Sequence, residues 1–130
     1  MSQNGLQKIL YVEDEPDISQ IAKLALESIG GFTVEACENG FEALRKAPGF
    51  CPQLILLDVM MPEMDGPATM LKLRALPGLE KTPVVFMTAK VQPSEVESYK
   101  QLGAVDVIAK PFDPMGLADN IRAIWQRCQA

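Results

Sequence analysis

Leu54–Gly66 reads LILLDVMMPEMDG, and the order of residue types along it decides the fold. Leu54, Ile55, Leu56 and Leu57 form an apolar run without polar alternation. Bounded by turn residues, such a run specifies a strand covered on both faces. It stops abruptly on a charge, Asp58. Val59 to Gly66 then leaves as a turn, because Pro62 has no N–H for a ladder and Gly66 permits unusual dihedrals. Asp58 thus stands where a buried strand opens into a loop, and in an open parallel sheet that edge collects ligands and chemistry.

On either side of this stretch, strands alternate with helices. Lys8–Val12 reads as the first strand and runs into Glu13-Asp14-Glu15-Pro16, where Pro16 suits a first helical position. Ile18, Ile21, Ala22, Ala25 and Ile29 recur at helical spacing up to Gly30-Gly31, a natural C-terminal cap. Phe32–Cys37 reads as a second strand, and Asn39 with Glu42 as a capping box for a helix to about Ala47. Beyond Asp58, a helix over Pro67–Leu76 offers Met70, Leu71 and Leu73 to the core and stops at Pro77-Gly78. Pro83–Met87 is the fourth strand, ending at Thr88. Ser94 and Glu97 suggest a capping box for a helix closing at Gly103, and Val105–Ala109 a fifth strand ending at Lys110-Pro111. Asp113-Pro114 opens the last helix, marked by Leu117, Ile121, Ile124, Trp125 and Cys128. Five such units imply right-handed crossovers, with helices on both faces of one parallel sheet.

Composition narrows the class. A chain of 130 residues, 48% apolar, suits one domain of the usual ~100–150-residue size, with no room for a second. No apolar run approaches the ~18 residues of a membrane span, and Met1–Lys8 lacks the apolar centre of a signal peptide, so a cytoplasmic location is expected. The cysteines, Cys37, Cys51 and Cys128, lack C-x-x-C spacing and read as reduced, mostly buried residues. A net charge of −5 argues against nucleic acid as a direct partner. The absence of histidine removes Ser-His-Asp and Cys-His catalysis and His-ligated metals, leaving carboxylates as the chemistry.

All five strand ends point to one edge, and four carry reactive types: Glu13 and Asp14, Asp58, Thr88 and Lys110. Singly, each is more often a cap, a turn former or a solvated side chain. Together the carboxylates repel, a cost a purely structural arrangement would avoid. Three negative charges and one positive leave a balance that one divalent cation neutralises. Oxygen-only ligands at an exposed, partly hydrated edge favour Mg²⁺ over Zn²⁺. Such a cation and Lys110 would keep Asp58 ionised and nucleophilic and would steady the oxygens of an incoming phosphoryl group. Thr88 is the hydroxyl donor to such an oxygen, and Lys110 the counter-charge.

From YVEDEPD through LLDVMMPEMDG and FMTAK to AKPF, the sequence resembles a response-regulator receiver domain of two-component signalling, of the stand-alone type. The resemblance implies a flavodoxin-like α/β sandwich, with five parallel strands in the order 2-1-3-4-5 and five helices. It makes Asp58 the phospho-acceptor, Thr88 the switch hydroxyl and Lys110 the phosphoryl counter-charge. Asp14, Asp58 and the backbone carbonyl of Met60 would bind Mg²⁺ directly, and Glu13 largely through water. Lys110-Pro111 would be a cis bond. The donor would be the phosphohistidine of a separate histidine kinase or phosphotransfer protein. No enzymatic turnover is implied beyond self-phosphorylation and slow autodephosphorylation. The receiver core would occupy about residues 8–128 of a single 1–130 domain, with no output domain, so output would pass to a protein partner.

Three positions bear on that output and on its lifetime. Receiver domains commonly carry Tyr or Phe three residues before the lysine, and Val107 stands there, stiff at χ1 and too small to gate a pocket. Signal is therefore expected to leave by backbone repositioning over Met87–Lys90 and the face of the fourth helix, fifth strand and fifth helix. Met60 and Lys90 flank the path of a hydrolytic water, and an apolar Met60 cannot orient one, which predicts a long-lived phosphoaspartate. A haloacid-dehalogenase-type phosphatase would need an acidic residue where Met60 stands. A flavin binder would need a Ser/Thr-rich loop where Glu13-Asp14-Glu15 stands. The alternative left open is a degenerate receiver that binds partners without phosphorylation.

Overall fold

The computed structural model describes residues 5–129, so the start of the N-terminal stretch read above lies outside the described residues. The strands are β1 (Lys8–Val12), β2 (Thr33–Cys37), β3 (Leu54–Asp58), β4 (Val84–Thr88) and β5 (Asp106–Ala109), paired in parallel in the order β2-β1-β3-β4-β5. The helices are α1 (Pro16–Leu24, continued by a π turn over Ala25–Ile29), α2 (Gly40–Phe50), α3 (Gly66–Arg74), α4 (Pro93–Leu102) and α5 (Leu117–Gln129). This is the flavodoxin-like arrangement expected from the sequence.

Every residue of β3 and β4 is buried, as an unbroken apolar run requires when both faces of a sheet are covered. Alternation then sorts side chains into two cores. Ile9, Tyr11, Leu54, Leu56, Val85 and Met87 face Leu26, Leu117, Ile121 and Trp125 of the first and last helices. Leu10, Val12, Ile55, Leu57, Val84 and Phe86 face Ala43, Ala47, Met70 and Leu73 of α2 and α3. Each such large apolar side chain contributes about 1.5–3 kcal/mol on burial.

Several boundaries and faces differ from the sequence reading. Ala22, Ala25 and Leu26 are buried in the first helix, but Ile21 and Ile29 are 49% and 48% exposed. The π turn adds a residue to the last turn, rotating Leu26 inward and Ile29 outward. In α3, Met70 and Leu73 are buried while Leu71 faces solvent. Helix α2 runs past Ala47 through Pro48, and Cys51 ends it at φ 56, its N–H bonded to Ala47 O. Helix α4 is boxed at Gln92 and Glu95 instead of Ser94 and Glu97: Glu95 Oε1 accepts the Gln92 N–H at 3.2 Å. Asp113 accepts the Met115 N–H in a turn, and α5 starts only at Leu117. Cys37 is buried as expected, whereas Cys51 and Cys128 are exposed; all three are free thiols. No helix among the described residues is long and apolar enough to cross a membrane.

Candidate functional site

The strand order sets β3 in the centre, between β1 and β4, so the end of β3 is the natural floor of a site. Ladder-like bonds carry the pairing one step past the strands and fix the loop starts: Glu13 N to Cys37 O, Val59 N to Met87 O and Lys110 N to Thr88 O, each 3.0 Å. Glu13, Asp14, Asp58, Thr88 and Lys110 thereby arrive at one edge, as their spacing implied.

Within that edge, Glu13, Asp14 and Asp58 each offer a carboxylate oxygen within 4.8 Å of the others. Lys110 Nζ lies 3.1 Å from Glu13 Oε1 and 3.3 Å from Asp58 Oδ1, bridging the two. The site is more enclosed than the exposed edge expected from the sequence: Glu13 and Asp58 are buried and Asp14 is half-buried. The peptide bond between Lys110 and Pro111 is cis, as anticipated.

Enclosure changes the electrostatics. Burial and the Glu13 charge push Asp58 up to about 7, against the opposing pull of Lys110. Lys110 alone therefore does not outweigh burial and Glu13, and the expectation from the sequence named a divalent cation together with the lysine as what keeps Asp58 charged. For Lys110, burial works against the charge, but the bonds and charges of Glu13 and Asp58 outweigh it and hold the ammonium above its ordinary range.

The donor set suits a hard divalent cation. Among the described residues, Asp14 Oδ1 is buried without a hydrogen-bond partner, an acceptor left free beside two further carboxylates. An all-oxygen set of this kind matches Mg²⁺. Glu13 differs in being saturated: Oε1 accepts from Tyr11 OH (3.3 Å) and Lys110, and Oε2 from Glu15 N (3.3 Å) and Lys110 (3.4 Å).

Thr88 is buried at the end of β4, and its Oγ1 accepts the Lys90 N–H at 3.1 Å. Val107 is the β5 partner of Phe86 and packs in the same core as Tyr99, whose ring meets Phe86 edge-on at 5.4 Å. Met60 is 67% exposed and Lys90 is exposed.

Two features escaped the sequence reading. Gly66 sits where it does because of close approach: a Cβ there would stand 2.6 Å from Asp58 O and 2.9 Å from Val59 Cα, while the positive φ in this turn, 70°, belongs to Glu63. Tyr11, taken as a plain strand residue, sends its hydroxyl to Glu13; the period-two alternation that puts residues 11 and 13 on one face was the available signal.

Known proteins place this geometry. The profile of the response regulator receiver domain matches residues 9–122. Response regulator Rre1 of Synechocystis is 34% identical over 94% of this chain and 53% of its own length. The alkaline phosphatase synthesis transcriptional regulatory protein PhoP of Bacillus subtilis is 36% identical over 95% of this chain and 50% of its own. The chain thus spans about half the length of the curated relatives it matches. Among solved structures, Vibrio cholerae chemotaxis protein CheY4 superposes with a TM-score of 0.84 at 30% identity, covering 92% of this chain and 99% of CheY4. The chain belongs to the response regulator receiver domain family, a signalling module of two-component systems.

Proposed function

We propose that this receiver takes a phosphoryl group onto Asp58 from the phosphohistidine of a separate kinase or phosphotransfer protein, and that the modification switches a protein-binding surface. The observation that carries this reading is the meeting of Asp58 with Asp14, Glu13 and Lys110 in one pocket. Mg²⁺ would be held by Asp14, Asp58 and the backbone carbonyl of Met60, supplying charge compensation for Asp58 and the incoming phosphoryl oxygens. An Asp58 carboxylate oxygen forms the new P–O bond as the donor's P–N bond breaks. The leaving imidazole nitrogen keeps that electron pair and takes a proton from water. Lys110, held by Glu13, turns its ammonium to a phosphoryl oxygen, and Thr88 Oγ1 donates to another, giving up its bond to the Lys90 N–H.

The surroundings fit a macromolecular donor. An apolar cavity of about 380 Å³, lined by Ile18, Ile21, Ala89, Pro111, Phe112 and Pro114, lies beside Lys110 and offers a docking face at the rim. Output leaves through the face of α4, β5 and α5. The net charge of −5 favours a protein over nucleic acid as the partner of this domain.

Acetyl phosphate or phosphoramidate, with Mg²⁺, tests the reading by intact mass. Asp58 gains one phosphoryl group, and Asp58→Asn or chelation of Mg²⁺ abolishes the gain. A wild-type chain that takes no label under these conditions is instead the degenerate, partner-binding kind of receiver.

A further inference from the structure

Tyr11 is fully buried in β1, yet its phenol carries a polar group that must find a partner inside the protein. The strand supplies one. Glu13 follows β1 directly and its N–H continues the ladder to Cys37 O, so residues 11 and 13 share a face, the ring runs beneath the site and its hydroxyl donates to Glu13 Oε1 at 3.3 Å. The same oxygen accepts from Lys110 Nζ at 3.1 Å, and Lys110 in turn reaches Asp58 Oδ1 at 3.3 Å. A chain of contacts therefore runs from the core on the α1 and α5 side, through Glu13 and Lys110, to the carboxylate at the end of β3.

Glu13 needs such an anchor. Its side chain carries one more rotatable bond than Asp14 or Asp58, and the adjacent carboxylates repel it. The Glu15 N–H holds Oε2 from the loop side, at 3.3 Å, and Tyr11 holds Oε1 from below. Between these two donors the carboxylate plane is fixed, and with it the direction from which Glu13 presents itself to Lys110. Removing the hydroxyl leaves Glu13 with Lys110 and one backbone donor, so the pair can swing together away from Asp58.

We propose that Tyr11 is a positioning residue of this site: its hydroxyl fixes the Glu13 carboxylate and, through it, the Lys110 ammonium opposite Asp58. The inference rests on the reading of Asp58 as the phospho-acceptor. Partners of this kind, one step behind the groups that meet metal or substrate, commonly cost about 10–100-fold when removed, and a neutral donor behind a carboxylate that keeps other bonds sits at or below the lower end.

The test is a double-mutant cycle on the full chain: Tyr11→Phe, Glu13→Gln and both together. Its readouts are the rate of labelling by acetyl phosphate and the Mg²⁺ dissociation constant from calorimetric titration. Tyr11→Phe keeps the ring, and a urea midpoint for each variant reports whether the fold is intact. Tyr11→Phe is expected to slow labelling and weaken Mg²⁺ binding roughly 3–10-fold in the wild-type background, and to change neither in the Glu13→Gln background. Equal effects in both backgrounds, or no effect in a wild-type chain that is labelled normally, overturn the positioning role and leave the acceptor reading intact. A wild-type chain that takes no label overturns the acceptor reading, and this inference with it.

Discussion

Lys110 Nζ stands 3.3 Å from Asp58 Oδ1 although the two residues are 52 positions apart, and only the neighbouring order of β3, β4 and β5 brings them together. Both are largely enclosed, so the pair interacts more strongly than a solvated one, yet burial still leaves Asp58 hard to ionise. The site is thus poised: an acid short of positive charge, beside an unpaired Asp14 oxygen.

That poise sets a pH dependence. Asp58 sits at about 7 in the folded protein, against ~3.9 for an unfolded aspartate. Between those values the folded state holds a proton that the unfolded state has released. Asp58 therefore supports folding below about pH 4, and that support is lost as pH rises through 7. Asp58→Asn, which removes the charge, raises the metal-free melting temperature at pH 8, by about 4 °C for each kcal/mol recovered. The gain shrinks toward pH 4, and Mg²⁺ narrows the gap by stabilising the wild type. Calorimetric melts across pH check it; an Asp58→Asn variant that melts below wild type at pH 8 without metal contradicts the strained carboxylate.

Gly66→Ala places a methyl group 2.6 Å from Asp58 O, against backbone that cannot move without shifting the acceptor. A loss of about 1–3 kcal/mol in urea unfolding is expected, together with slower labelling of Asp58. A variant that labels at the wild-type rate would show that the turn yields without disturbing the site.

If Asp58 is the acceptor as proposed, Thr88 and Lys90 report the switch. In the unmodified protein the Lys90 N–H is tied to Thr88 Oγ1, so modification of Asp58 moves the Lys90 amide resonance as the hydroxyl turns away. Beryllofluoride, a phosphoryl mimic, produces that change in wild type and in Thr88→Ser, but not in Thr88→Ala. Val107→Tyr alters partner binding only modestly, because Phe86 and Tyr99 already fill the neighbouring space. If Val107→Ala instead loses as much modification-dependent partner binding as Thr88→Ala, Val107 is itself the switch.

On the proposed reading, Met60 and Lys90 bear on how long the phosphoryl group persists. Met60 is exposed and cannot orient water, so the phosphoaspartate of purified protein is expected to last well beyond seconds. Met60→Asn, which supplies a polar side chain, shortens it. Loss of the phosphoryl group within seconds in the wild type counts against this.

Much of this was legible in the sequence, for definite reasons. The runs at Leu54–Leu57 and Val84–Met87 are short, lack polar alternation and are bounded by turn residues, so they read as doubly covered strands, and the topology that follows brings Glu13, Asp14, Asp58, Thr88 and Lys110 to one edge. What escaped depends on tertiary contact. The role of Gly66 comes from how near α3 begins to the Asp58 carbonyl, which no local pattern encodes. Ile29 turns to solvent because a π turn over Ala25–Ile29 breaks the 3.6-residue period on which it would face the core. The titration of Asp58 depends on its depth, and the hydroxyl of Tyr11 is hidden in a strand whose other buried residues are apolar.

Borohydride reduction of the phosphorylated chain, followed by peptide mass mapping, tests the assignment of the acceptor most directly, because it converts an aspartyl phosphate to homoserine at the position that carried it. The account predicts homoserine at residue 58 alone, and only when the phosphodonor and Mg²⁺ were both present. Homoserine at residue 14, or none at residue 58 in a chain that has gained the phosphoryl mass, would contradict it.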